Sequence, residues 1–193
     1  MKRVVLPTVL FAALAIVAVA LLAWFAYRSV RGALEQEFER RIESLASTTA
    51  AQVRPEDLED VRIYGEEGTG YLAIQVVLEQ LCSASSTTAA TLLDSARVVV
   101  YDCRTPETQG ATSVLDSVAR AALATVASGR TAVTGLIPRA AGARRFALAP
   151  VLSEVDHGHT VAVLAVEVEP VYLAQLAALG RQLALITAVI ALA

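Results

Sequence analysis

Histidine is nearly missing from this 193-residue chain, which has only His157 and His159, and cysteine occurs only at Cys82 and Cys103. That scarcity removes most site chemistry. A metal centre needs three or four converging ligands. Asp156, His157 and His159 are the only sequence cluster of metal-capable groups, and adjacent loop residues point apart, so Glu154–Gly158 reads as a surface turn. No serine has an evident histidine partner, no glycine-rich loop is placed to cradle a phosphate, and no paired carboxylates stand out. Neither catalysis, nor a cofactor, nor a metal is expected, and no repeat occurs at a solenoid period.

Charge is missing in two places. Val4–Tyr27 is a run of 24 residues without a charged side chain, and Leu183–Ala193, the last eleven, is uncharged again. A bilayer core of about 30 Å needs roughly 20 helical residues, so the first run is long enough to span. Trp24 and Tyr27 lie near its far end, where amphipathic rings favour the headgroup layer. A cleaved signal is the competitor, but its apolar region is usually about 7–15 residues. The small residues of Ala12–Leu14 and Ala18–Ala20 fall inside the run rather than after it, so an uncleaved anchor is favoured. Residues 1–3, with Lys2 and Arg3, read as a cytoplasmic tail and 4–27 as the first membrane helix. Arg28 and Arg31 argue for the opposite orientation, but long domains translocate largely regardless of charge, which places the middle of the chain outside.

Val171–Ala193 is helical in pattern, but Arg181 interrupts it and leaves only about half a crossing. Arg181 suits the outer headgroup layer, its stem in lipid and its guanidinium in water. Residues 171–193 therefore read as the start of a second membrane helix, truncated. The alternative is a genuine C-terminus on an interfacial amphipathic helix.

Residues 28–170 have the length of one domain. They hold all 19 acidic residues and all but three of the 16 basic ones (Lys2, Arg3 and Arg181), a formal charge of −6. An acidic surface without a basic stripe excludes nucleic acid as the expected partner, and the content of Val, Leu and Ala is too high for disorder. Apolar residues at Val30, Ala33, Leu34, Phe38, Ile42, Leu45 and Ala46 make one helical stripe that continues the membrane run, up to the break at Arg54-Pro55. Pro55–Asp60 reads as a short helical turn, Gly65–Gly70 as a loop, and Thr69 as the cap of a helix over about Gly70–Ser83. Ser83–Ala90 reads as loop or frayed helix end and Arg97–Asp102 as the first strand. Ser113–Asp116 opens a helix carrying Val114, Val118, Ala122 and Val126, with Gly129 as its C-cap. Strands Thr131–Ile137, Arg145–Leu152 and Thr160–Glu169 follow. The sum is an α+β domain with an antiparallel sheet, one face covered by helices, a long N-terminal helix and flanking membrane helices.

In this order the chain resembles the extracytoplasmic Cache (PAS-like) sensor domains of bacterial two-transmembrane-helix receptors, sensor histidine kinases above all. The residues that carry the resemblance are Pro55–Leu58, Gly70–Leu72, Val98–Asp102, Ser128–Gly135, Phe146–Val151 and Ala162–Val168. It covers nearly the whole chain but has no catalytic signature. Where members of that family commonly have a glycine after the strand aspartate, Cys103-Arg104 stands here, and the polar link Ser83–Ser95 is long.

The resemblance implies a ligand pocket between the sheet and the elements covering it, with Tyr71, Tyr101, Arg104, Arg139, Arg144, Arg145 and Phe146 as the residues to test. Arginine can grip a carboxylate with two parallel hydrogen bonds, and an aromatic ring can wall a pocket. The competing expectation is that Tyr101 and Phe146 pack the core while the arginines face water. Cys82 and Cys103 are an even pair in a domain placed in an oxidising compartment, which fits a disulfide and equally two buried thiols.

The expected function is ligand sensing and signal transmission by a membrane receptor, a sensor histidine kinase without its output module. It would sit in the bacterial inner membrane with the sensor domain periplasmic, acting as a homodimer on a small-molecule ligand. The alternatives are a membrane-anchored periplasmic interaction or structural protein and a cleaved, secreted carrier.

Overall fold

The apolar stripe that leaves the N-terminal run produces one unbroken helix, α1 (Lys2–Ala50), in the computed structural model. That structure describes residues 2–84, 87–113, 115, 119–140, 142–153 and 158–192. The chain divides into two units, Met1–Phe38 with Val171–Ala193, and Glu39–Pro170.

In the first unit, α1 runs antiparallel to the last helix, α5 (Tyr172–Leu192). The Phe38 and Tyr172 rings meet with centroids 5.1 Å apart. Further along the pair, a Cβ on Gly180 would lie 3.6 Å from Tyr27. Arg28 lies over the Trp24 ring at 5.4 Å, so the cation beyond the apolar run is held on an aromatic face. Leu14, Leu21, Leu22 and Phe25 are exposed. Ala13–Ala50 and Tyr172–Ile190 are, among the described residues, the two helices long and apolar enough to cross a membrane, by length and composition.

In the second unit, α1 buries Ile42, Ala46 and Ala50, four apart on one face, and Val53 just beyond its end is buried as well. Arg54 is extended before Pro55, as the residue before proline must be. Its guanidinium grips the buried Asp57 carboxylate at 3.1 and 2.8 Å. Helix α2 (Pro55–Tyr64) is longer than the turn expected over Pro55–Asp60. A 3-10 turn over Gly65–Glu67 leads to α3 (Thr69–Ala84). The cap of α3 is not Thr69, which is already helical, but Asp60, whose Oδ2 accepts the Gly70 N–H at 2.6 Å.

The first strand is β1 (Thr87–Asp94), inside the stretch expected to be a polar link. The run expected first, Arg97–Asp102, is the second, β2 (Val99–Asp102). Helix α4 (Arg120–Ala127) ends before Gly129, which has φ 80°, as a helix-ending glycine does. Val114, Asp116 and Val118, expected near its start, lie outside the described residues, as do Asp156 and His157. The strand expected over Thr131–Ile137 is two short ones, β3 (Ala132–Val133) and β4 (Ile137–Arg139), parted at Gly135. Strands β5 (Gly142–Leu152) and β6 (Thr160–Val168) fall close to their expected bounds.

All pairings are antiparallel, in the order β2-β1-β6-β5-β3, with β4 also on β5. Side-chain alternation gives the sheet two buried faces. Leu93, Phe146, Leu148 and Ala165 pack with Leu115, Leu123 and Val126 on the α4 side. Leu92, Tyr101, Ala147, Ala149 and Leu164 occupy the opposite face, where α3 packs against β1 and β2.

Candidate ligand-binding site

The residues singled out in the sequence do not converge on one point. Tyr71 on α3 and Tyr101 on β2 meet edge to face, with centroids 5.7 Å apart. The Tyr101 hydroxyl donates to Glu79 Oε1 at 2.9 Å, and the Gln75 amide donates to the same oxygen at 2.7 Å. Burial first, then the bond to Glu79, pushes the Tyr101 phenol up to about 12. The hydrogen bonds from Gln75 and then Tyr101 hold the Glu79 carboxylate below its ordinary range.

A phenol whose pKa is raised by folding contributes stability that is complete below the unfolded value near 10 and is lost as pH climbs toward 12. Tyr101→Phe is therefore expected to cost about 1 kcal/mol at neutral pH, the worth of one hydrogen bond. It should also flatten the loss of stability between pH 10 and 12 that the parent shows in urea unfolding. A variant with the parent's full alkaline decline would refute the assignment.

Arg139, Arg144 and Phe146 share the α4 side of the sheet. The Arg139 guanidinium lies 5.5 Å from the Phe146 ring centre. Arg144 is buried, with Glu167 and Glu169 each 3.6 Å away. Arg145 is also buried but, as the next strand residue, points to the other face, where it pairs with Glu39 of α1. Arg104 is exposed beyond the end of β2, where its N–H bonds Asp102 at 2.8 Å. Both buried arginines thus already hold carboxylates from the chain itself.

Elsewhere lies a cleft of about 1060 Å³. One wall is α2, with Glu56, Glu59, Asp60 and Arg62, and the other is the β1–β2 turn, with Asp94 and Ser95. Val100, Thr160 and Val161 lie between them, and Gln109 joins the lining. Its Oε1 is buried without a hydrogen-bond partner among the described residues. Small-molecule sites commonly occupy about 300–1,000 Å³. A smaller cavity of about 170 Å³, lined by Leu123, His159 and Val163, shares Asp94 and Thr160 with it. Among the described residues no three metal-capable side chains come together.

The short helical turn expected over Pro55–Asp60 already holds the acidic residues of this wall. Over the full ten-residue helix, Glu56, Glu59 and Asp60 stand at i, i+3 and i+4, the spacing of one face, while Asp57 turns inward to Arg54. That spacing was the available signal.

A sheet in this order, packed by α3 on one face and α4 on the other after a long N-terminal helix, is the fold of the Cache (PAS-like) extracytoplasmic sensor domains. Among solved structures, the chain is similar to the sensor domain of the V. cholerae histidine kinase DctB, with a TM-score of 0.53 at 10% identity over 78% of this chain and 54% of that one. It is similar to the E. coli DcuS sensor domain, with a TM-score of 0.54 at 16% identity over 74% of this chain and 96% of that one. An extracellular ligand binding receptor from Desulfohalobium retbaense gives a TM-score of 0.50 at 14% identity over 79% of this chain. The chain spans about half of the DctB structure and 26% of the receptor. No family model matches the sequence, and no curated protein matches it.

Proposed function

We propose that this chain is the ligand-sensing and signal-transmission region of a bacterial membrane receptor of the sensor histidine kinase kind. The observation that carries the reading is a sensor fold whose first and last helices are each long and apolar enough to cross a bilayer. In this reading residues 4–27 cross the inner membrane, 28–170 form the periplasmic sensor, and 171–193 enter the membrane again. The unbroken helix α1 and the short step from Val168 on β6 to Tyr172 on α5 give the sensor two direct connections to the membrane segments. A ligand that binds two packings of the sensor with different affinity would shift their populations, and a homodimer would carry that shift across the membrane. The catalytic output belongs to a cytoplasmic module.

Two measurements test the reading. In spheroplasts, a Glu66→Cys chain is expected to react with a membrane-impermeant maleimide added from outside, and labelling only after lysis would invert the topology. A screen of small metabolites by thermal shift, on the full chain in uncharged detergent, is expected to yield compounds that raise the unfolding midpoint saturably. A screen in which none does so would remove the sensing role.

A further inference from the structure

The lining of the α2 cleft is strongly one-signed. Glu56, Glu59, Asp60 and Asp94 stand there against the single guanidinium of Arg62 among the described residues. Two of the four carboxylates are already engaged, since Asp60 accepts the Gly70 N–H at 2.6 Å and Asp94 accepts the Val98 N–H at 2.8 Å. Glu56 and Glu59 make no ion pair or side-chain hydrogen bond among the described residues. Acidic residues therefore line the cavity on α2 and at the β1–β2 turn, and Leu58, Val100 and Val161 give the same lining apolar surface.

A carboxylate ligand does not suit this cavity. The buried arginines that could grip one are on β5 and already face Glu39, Glu167 and Glu169. A bare divalent ion fits no better, because no three metal-capable side chains converge among the described residues. The match is a cation that spreads its charge over a length and carries apolar surface between its charges.

We propose that the cleft takes an aliphatic ligand with at least two protonated amines, of the diamine or triamine class. Its ammonium groups sit against the α2 carboxylates and against Asp94, and its methylenes lie over Leu58, Val100 and Val161. The proposal rests on the sensing reading above and names its ligand class. The sensor's formal charge of −6 works in the same direction, concentrating cations at the surface before they bind.

Spermidine and putrescine are the probes, titrated into the full chain in uncharged detergent at constant ionic strength and followed by calorimetry and by the unfolding midpoint. Saturable binding is expected, with a raised midpoint. Exposed ion pairs contribute about 0.2–1 kcal/mol each, so the double variant Glu56→Gln, Glu59→Gln should weaken Kd about tenfold. Asp94→Asn, which keeps the acceptor for the Val98 N–H, should weaken it about threefold. Both substitutions leave the core untouched, so the variants should unfold at the parent's midpoint without ligand. 1,4-Butanediol, with the methylenes but no charge, should not bind, and magnesium chloride should give no saturable shift.

Equal affinity in parent and double variant, or no binding of either amine, overturns the assignment. If a dicarboxylate such as succinate raises the midpoint and the amines do not, the amine site is refuted while the sensing role stands. If neither they nor any metabolite in the wider screen raises it, both fall.

Discussion

Gly70→Ala is expected to destabilise the Glu39–Pro170 unit by about 3 kcal/mol, which for a unit of this size lowers the unfolding midpoint by roughly 10 °C. A Cβ at this position would lie 2.3 Å from the Asp57 carbonyl oxygen, 2.8 Å from its Cα and 2.9 Å from its carbonyl carbon. All three are backbone atoms of α2, so no rotamer change relieves the clash. Either α3 withdraws and strains the bond from the Gly70 N–H to Asp60, or α2 moves and disturbs the Arg54–Asp57 pair. Overpacking of this kind costs about 1–3 kcal/mol and a lost cap about 1 more, against a gain of about 1 from alanine's better helix propensity. Gly32 in α1 is the control, because a Cβ there meets nothing within 4 Å. Gly32→Ala should be neutral or stabilising by up to about 1 kcal/mol. Urea unfolding of both variants in the full chain checks the contrast, and similar midpoints would show that the α2–α3 approach is not as close as described.

The same helix pair shows where the sequence was legible and where it was not. Helix α1 and strands β5 and β6 could be read because each has a long run with a strong period or strongly apolar composition. Strand β1 could not. Thr87-Thr88-Ala89-Ala90 has neither bulk nor alternation, because Ala89, Ala90, Leu92 and Leu93 are buried in adjacent pairs and so serve both faces of the sheet. The close approach at Gly70 is tertiary and leaves no local pattern. The candidate residues divide in the same way. Tyrosine and arginine stand out in a sequence by their chemistry, but their partners are distant in it: Glu79 is 22 residues from Tyr101, and Glu39 is 106 from Arg145. Those carboxylates decide that Arg145 and Tyr101 are internally engaged, and only the folded chain brings them together. The acidic face of α2, by contrast, is local and lies wholly within the turn expected over Pro55–Asp60.

Loss of the Cys82–Cys103 bond should cost about 3 kcal/mol. The structure joins these residues, with Cα atoms 6.7 Å apart and a sequence separation of 21. Cys82 lies in the last turns of α3 and Cys103 directly after β2, so the loop they close contains β1 and the β1–β2 turn. In the chain-entropy account a loop of this length removes about 3 kcal/mol of freedom from the unfolded ensemble. The native ladder does not depend on the bond. Cys103 N–H donates to the Ala90 carbonyl at 3.1 Å, and β1 remains paired with both β2 and β6. The fold should therefore persist on reduction and become weaker. For a domain of this size, with a urea m value of about 1–3 kcal/mol per molar, the midpoint should fall by roughly 1–3 M, in the reduced parent and in the Cys82→Ser, Cys103→Ser double variant alike. An additional reductant should leave the double variant unchanged. If the parent's midpoint is insensitive to reduction and equals that of the double variant, the two cysteines are thiols in the protein as it is made, and β1 is held by its ladders to β2 and β6 and by packing under α3.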